Sequence, residues 1–216
     1  MKLPEPYRLA DQYLERLSKL ILRRTEKTRK KLSLLKFDDL SVIQEIDVLY
    51  VVIGRDCKQA FRRLYADRYR EIYRYLKGKE PDEDEIDELL DMYLAGLWDD
   101  PNENTHYAFG TELDRKRDRA KEAIIAVPTR TQKQLELAKA VRYLIQQSAW
   151  YIDFTSQDAE IQAFEDCGIK KVKRHEMKDE KVCPECRKAD GEVYDIDNIP
   201  ELPHLRCRRW FTPITR

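Results

Sequence analysis

Four residues near the C-terminus have the types and the spacing of ligands for a tetrahedral metal ion. Cys183 and Cys186 form one C-x2-C pair, and His204 and Cys207 form an H-x2-C pair after seventeen intervening residues. Two short-spaced pairs of thiolate and imidazole ligands are what a structural Zn²⁺ needs. Pro184 lies inside the first pair and stiffens its turn. The spacing predicts a Zn²⁺ bound by these four side chains.

Two other interpretations of the same residues remain open. The cysteines could be reduced thiols beside a hydrogen-bonding histidine in a metal-free cluster of turns, or they could form a redox or disulfide pair. Zinc has an energetic argument in its favour, because a structural site contributes roughly 10 kcal/mol or more to the folding of a small peptide. The remaining cysteines, Cys57 and Cys167, lie outside the pattern and are predicted to be small buried hydrophobic residues.

The elements around the predicted ligands read as a small β module. Residues 169–177 alternate in the manner of a strand, Asp190-Gly191 is a hairpin turn signal, and residues 192–194 resemble a second strand. A boundary near Gly168 therefore divides the chain into a body of residues 1–167 and a module of residues 168–216. A module of this size buries too little apolar surface to be secure without a staple.

The body is predicted to consist of long packed helices. Apolar residues recur every three or four positions, and glycine is scarce at six residues. Thr129 or Thr131 is a candidate cap after Pro128, and Ser156 is a candidate cap for a separate helix that leads to the boundary. The predicted helices cover residues 5–36, 39–76, 112–127, 132–154 and 153–167. A further helix is predicted to start in the acidic stretch of residues 80–91, and residues 99–112 are predicted to form a loop. The fold class is mainly α with a small zinc-ribbon-like β-hairpin module.

Two segments of the second helix carry specific expectations. Residues 42–54, with the sequence VIQEIDVLYVVIG, are apolar enough to be buried on most sides. Residues 61–76 interleave aromatic and basic side chains, which occurs where nucleic-acid bases stack on a protein. Helical spacing places the aromatic side chains on one face and most arginines on the other, which favours core packing.

A basic face on the first helix is the main candidate for contact with a polyanion. It is either a solvated helix face or a contact with DNA or an acidic protein surface. Its residues are Arg23, Arg24, Lys27, Lys30 and Lys31. Lysine plus arginine and aspartate plus glutamate number 41 each, so the net charge is zero. Any DNA contact must therefore come from such local patches.

The sequence also argues against several classes of protein. It has no apolar run long enough to span a membrane and no signal-peptide core, so a cytosolic protein is expected. It has no glycine-rich phosphate loop, no G-x-S-x-G and no H-E-x-x-H, so no catalytic residues and no cofactor-binding residues are predicted. An HNH-type nuclease is an alternative, but Asp197 to Pro200 reads D-N-I-P where such enzymes have a base histidine. A zinc-ribbon regulator that binds DNA is the other alternative.

The C-terminal residues resemble the signature of phage head-morphogenesis proteins, the family of the Mu F-like minor head proteins. The resemblance covers roughly residues 155–212. The matching residues are Asp179, Val182, Cys183, Cys186, Asp190, Gly191, Val193, Tyr194, Pro200, Pro203, His204, Cys207 and Arg208. The chain departs from the pattern at Arg209, where the family usually has a further cysteine, and at Pro203, which directly precedes the histidine.

The resemblance implies a structural and assembly role and no enzymatic activity. Members of this family are low-copy components of the virion or prohead, associated with portal or capsid proteins and sometimes with DNA. The chain is accordingly expected in the virion, or in the host bacterial cytoplasm during assembly, as part of a larger assembly. Portal and capsid proteins are the expected partners, with packaged DNA contacted through the basic face.

Overall fold

The computed structural model describes residues 4–34, 39–98, 108–177, 182–200 and 209–215. These contain five long helices followed by a small antiparallel sheet, so the prediction of a mainly α fold with a small C-terminal β module is confirmed. The helices are α1 Arg8–Leu34, α2 Asp39–Lys77, α3 Glu83–Trp98, α4 Phe109–Ile125 and α5 Arg130–Asp166. The C-terminal elements are β1 Lys171–Glu176, the short helix α6 Pro184–Lys188, β2 Val193–Asp195, a 3₁₀ turn Ile196–Asn198 and β3 Arg209–Ile214.

Local sequence signals set the ends of the helices. Gly78 ends α2 with φ of 68°, a conformation that glycine adopts without strain. Thr129 caps α5 in a capping box: its hydroxyl accepts from the Gln132 amide at 3.3 Å, and the Gln132 side chain accepts from the Thr129 amide at 3.2 Å. Gly168 follows the last turn of α5 with φ of 81°. This conformation lets the Ile169 amide donate back to the Phe164 carbonyl at 2.9 Å, which closes the end of the helix. Of the two candidate threonine caps, Thr129 is the one used.

The prediction of a separate helix capped by Ser156 is wrong, because α5 runs unbroken for 37 residues. No proline or glycine interrupts residues 130–166, so nothing forces a break. Ser156 and Thr155 are buried inside the helix, and the Thr155 hydroxyl is 2.7 Å from the hydroxyl of Tyr93 on α3. These small polar residues face a packed neighbour and do not mark a helix start.

The helices enclose the main apolar core. Phe109, which the sequence placed in a loop, begins α4 and is fully buried, with its ring edge-on to Phe61 at 5.0 Å between centroids. At Gly54 of α2, an added Cβ would lie 2.8 Å from the Leu113 side chain, so glycine allows α4 to approach α2 closely.

Cys57 is buried in this core as predicted, whereas the prediction for Cys167 is wrong because that residue is only partly buried.

A second apolar cluster joins the helices to the sheet. The strand order is β2-β1-β3, with both neighbours antiparallel to β1. Val172 and Phe211 on the inner sheet face are buried in one cluster with Phe164 of α5 and Tyr69 of α2. The sheet is therefore packed directly on the helical body.

The Asp190-Gly191 turn does not join two strands, so its prediction as a hairpin turn is wrong. It follows α6 and leads into β2, with Gly191 at φ of 90°. The Gly191 amide donates to the Arg174 carbonyl at 2.9 Å, which ties the turn to β1. The one-turn helix α6 begins within the predicted Cys183–Cys186 turn and continues to Lys188.

The expectation that residues 42–54 are buried on most sides is only partly met. Ile46, Leu49, Tyr50 and Ile53 are buried, but Val48 and Val51 are 53% and 65% exposed. Among the described helices, none is long and apolar enough to span a membrane.

Candidate functional site

The first predicted ligand pair forms a compact turn at the start of α6. Cys183 precedes the helix in an extended conformation, and its sulfur accepts a hydrogen bond from the Cys186 amide at 3.3 Å. The Cys183 carbonyl accepts from the Arg187 amide at 3.0 Å, and Pro184 occupies the first helical position. The thiolate is the form of cysteine that binds metals.

The turn is fixed to the end of β1. The Asp190 carboxylate accepts from the Glu176 amide at 3.0 Å, so the chain that leaves α6 is held at the last residue of that strand. Cys186 is buried, at 2% exposed, and Cys183 is half-buried. One cysteine is therefore enclosed by the module while the other lies nearer its surface.

The second predicted pair, His204 and Cys207, lies outside the described residues. In the parts of the chain that the structure describes, no group of three or more histidine, cysteine, aspartate or glutamate side chains is arranged to hold a metal. The strand that follows Cys207 begins at Arg209, which pairs with Glu176 at the end of β1. β3 therefore begins two residues after Cys207, at the same end of the sheet where Asp190 holds the Cys183 turn.

His175 is engaged in contacts within the sheet. It lies on β1, where its ring stacks on Trp210 of β3 at 4.3 Å between centroids and an interplanar angle of 22°. Its Nε2 atom is 2.9 Å from the Thr212 hydroxyl. These contacts join the outer sheet faces of β1 and β3.

The basic face of α1 divides into paired and unpaired cations. Arg24 contacts Asp56 at 3.0 Å, and Lys31 contacts Glu45 at 3.1 Å, so both are bound to acids on α2. The other predicted residues, Arg23, Lys27 and Lys30, are exposed and make no ion pair with any described residue. They follow one another at four and three positions, which places them on one side of the helix.

A buried ionic cluster was missed by the sequence analysis. Arg68 on α2 is fully buried, and its guanidinium binds the Glu160 carboxylate of α5 and, at 2.9 Å, that of Glu71. Arg8 also contacts Glu71, at 2.5 Å. Burial acts to lower the pKa of Arg68, but the two carboxylates outweigh it and hold that pKa above its ordinary value. Helical periodicity assigned most arginines of this segment to the outer face, and no local signal distinguishes Arg68 from its neighbours.

Further buried polar contacts join the sheet to the helices. The Tyr7 hydroxyl donates to the Arg209 carbonyl at 2.5 Å, and the Arg209 Nε donates to the Gln157 side chain at 3.3 Å. Within the sheet, Arg174 donates to Glu176 at 2.6 Å. Burial raises the pKa of the Glu176 carboxyl, and the neighbouring Arg174 partly offsets this rise.

Comparison with models of known protein families, with curated proteins and with solved structures finds no match for this chain. The fold itself defines an α-dominant protein with a small three-stranded antiparallel sheet at its C-terminal end.

Proposed function

We propose that this chain is a structural and assembly minor head protein of a bacteriophage or prophage. It docks on portal or capsid proteins, contacts packaged DNA, and stabilises its C-terminal module with a Zn²⁺ bound by Cys183, Cys186, His204 and Cys207. The observation that carries the proposal is the Cys183-Cys186 turn, whose sulfur accepts an amide hydrogen bond at 3.3 Å. The turn lies within the segment whose sequence resembles the head-morphogenesis signature.

The metal is tested first, by elemental analysis of the purified, tag-free protein. We expect one Zn²⁺ per chain, since four thiolate and imidazole ligands complete a tetrahedral structural site. Cys183→Ser should lose the metal, whereas Cys167→Ser, which removes a partly buried thiol outside the set, should retain it. Wild-type protein without stoichiometric metal would refute the zinc part of the proposal.

The structural role of the metal is tested by limited proteolysis. In Cys183→Ser and in Cys207→Ser, we expect protease to remove the tail, residues 168–216, and to leave the body, residues 1–167, folded. The reason is that binding free energy at a structural zinc site acts as folding energy for the module that holds it. A tail as resistant as that of the wild type would count against this role.

The assembly role is tested with head components. The labelled chain is mixed with proheads that carry a portal and with proheads that lack one, and both are sedimented. Co-sedimentation that requires the portal or the capsid shell supports the proposal. A chain that stays in the supernatant with both kinds of prohead contradicts it. A portal gene immediately upstream of the coding sequence would be independent support.

The DNA contact is tested through its salt dependence. Each phosphate contact contributes about 0.9 to the slope of log K against log salt on duplex DNA. Replacing the unpaired cations Arg23, Lys27 and Lys30 with glutamine should make the negative slope shallower by up to about 2.7. The matched control removes three cations that are already paired with acids, Lys19, Arg29 and Lys31. Equal effects of the two triple variants would contradict a contact through the unpaired set.

A further inference from the structure

The first helix concentrates positive charge. α1 contains nine lysines and arginines against three acids, a net charge of +6, whereas the whole chain has a net charge of zero. Two of those three acids are already bound, because Glu15 contacts Lys19 at 2.5 Å and Glu26 contacts Arg29 at 3.0 Å. The excess positive charge of α1 is therefore not neutralised within the helix.

Four cations of α1 form a row along one face of the helix. They follow one another at intervals of seven, four and three residues, which are the spacings of a single helix face. All four are exposed and make no hydrogen bond or ion pair with any described residue. At about 1.5 Å per residue, the row is about 21 Å long. Its members are Arg16, Arg23, Lys27 and Lys30.

Arg63 of α2 extends the row across the contact between the two helices. Tyr13 of α1 donates to Asp67 of α2 at 2.6 Å, and Arg16 lies 5.9 Å from the centroid of the Tyr13 ring. Burial, and then the bond to Asp67, raises the pKa of Tyr13. The positive charges of Arg16 and Arg63 oppose that rise, so both cations lie near Tyr13. Asp67 pairs with Arg70 at 3.7 Å. Arg63 is exposed and, like Arg16, makes no ion pair with any described residue.

A row of this length and sign is complementary to the backbone of a nucleic acid. Duplex DNA carries about one negative charge per 1.7 Å of its axis, so about 21 Å of duplex carries roughly twelve charges. The long, flexible side chains of arginine and lysine can adjust to the positions of individual phosphates. A small anion would occupy only one or two of these cations. A charged polymer can contact all of them at once.

We propose that the surface between α1 and α2 binds the phosphate backbone of a nucleic acid lengthwise. Its contacts are with phosphates and not with base edges, so binding does not depend on base sequence. The inference deepens the DNA contact of the proposed function and rests on it. It adds a second helix and a direction to that contact. The residues of this α1–α2 row are Arg16, Arg23, Lys27, Lys30 and Arg63.

The two added cations are tested by the salt dependence of binding between the full-length chain and a labelled DNA duplex. Arg16→Gln with Arg63→Gln should make the negative slope of log K against log salt shallower by up to about 1.8, because each phosphate contact contributes about 0.9. The matched control is Arg62→Gln with Lys139→Gln, which removes the same charge from exposed cations that are paired with acids on α3 and α5. The control should leave the slope unchanged. All four positions lie on the surface, so thermal unfolding should show both double variants folded.

The whole row is tested by the variant that replaces all five cations with glutamine. If one DNA backbone contacts them together, the slope should become shallower by up to about 4.5. Two duplexes of unrelated sequence should compete equally for the wild-type chain. A preference of tenfold or more for one of them would overturn a contact made through phosphates alone.

The outcomes separate this inference from the proposed function. Equal slopes for Arg16→Gln with Arg63→Gln and for its control overturn the inference. If the triple variant of Arg23, Lys27 and Lys30 still makes the slope shallower, the DNA contact of the proposed function stands without the extended row. If no variant changes the slope, both fail. A wild-type chain that binds polyglutamate but not duplex DNA also overturns the inference, since its partner would then be an acidic protein surface.

Discussion

Replacing Arg68 tests how much the buried ionic cluster contributes to stability. Arg68 is 0% exposed and Glu160 is 4% exposed, so both side chains are almost entirely removed from water. Arg68→Met keeps an unbranched side chain of similar length and removes the charge. Glu160 is then left buried without a cation, and its Oε1 atom already has no hydrogen-bond partner in the described structure.

Loss of one member of a buried ion pair costs about 3–5 kcal/mol, because the remaining charge is neither paired nor hydrated. We expect Arg68→Met to lower the free energy of unfolding by that amount. Glu71 keeps its contact with Arg8 at 2.5 Å, so it does not add a second uncompensated charge. The double variant, Arg68→Met with Glu160→Met, removes both buried charges and should recover most of the loss.

The assay is urea denaturation followed by circular dichroism at 222 nm, with Arg62→Met as the control on the same helix. Arg62 also has two acidic partners, Asp87 and Asp91, each at 2.9 Å, but it is 40% exposed. Pairs at the surface contribute about 0–1 kcal/mol, so the control should cost no more than that. An Arg68 variant no less stable than the Arg62 variant would refute the reasoning, and so would a double variant as unstable as Arg68→Met alone.

Three further predictions follow from local geometry. Gly110→Ala should lower the unfolding free energy by about 1–3 kcal/mol, because the added Cβ would lie 2.5 Å from the Trp98 carbonyl oxygen. At Gly96, an added Cβ meets nothing within 4 Å, so Gly96→Ala should raise the unfolding free energy by about 0.5–1 kcal/mol. Thr129→Ala removes the cap of α5 and should lower the unfolding free energy by about 1 kcal/mol. Thr131→Ala, at the candidate cap that is not used, should lower it by less. Urea denaturation measures the two glycine variants and the two threonine variants. Burial raises the pKa of six helical tyrosines above their ordinary value of 10. The contribution of these tyrosines to the stability of the fold is therefore fully present below about pH 10 and is lost as the pH rises further. Absorbance at 295 nm should show delayed ionisation that coincides with unfolding, and ionisation of all tyrosines near pH 10 in folded protein would contradict this. The six tyrosines with a raised pKa are Tyr13, Tyr50, Tyr65, Tyr69, Tyr93 and Tyr151.

The helical body was largely predictable because its signals are local. Apolar periodicity placed α1 and α2 within a few residues of their ends, and Gly78 and Thr129 act through their own backbone and side-chain chemistry. Ser156 misled the prediction because a serine that caps a helix and a serine buried against another helix look alike in sequence. Here the unbroken helix and the burial of Ser156 show that the second case applies.

The candidate site was predictable as a motif and not as a geometry. The C-x2-C spacing predicted the tight turn at Cys183 and Cys186, and in that turn the Cys186 amide donates to the Cys183 sulfur. Arg68 was not predictable, because its burial depends on Glu160, which lies 92 residues further along the chain. Interactions of that range leave no periodic trace around either residue.

The contacts of the sheet separate two sources of stability for the C-terminal module. Its inner face is buried against α2 and α5 through Val172 and Phe211, and Tyr7, ahead of α1, donates to the backbone of Arg209 across 202 residues. The cysteine turn lies instead at the end of β1, where Asp190 holds it. Docking of the sheet on the helices thus involves residues outside the cysteine turn. Global unfolding therefore reports mainly on the helices and their contact with the sheet, and protease accessibility of the tail is the measurement that responds directly to the cysteine turn.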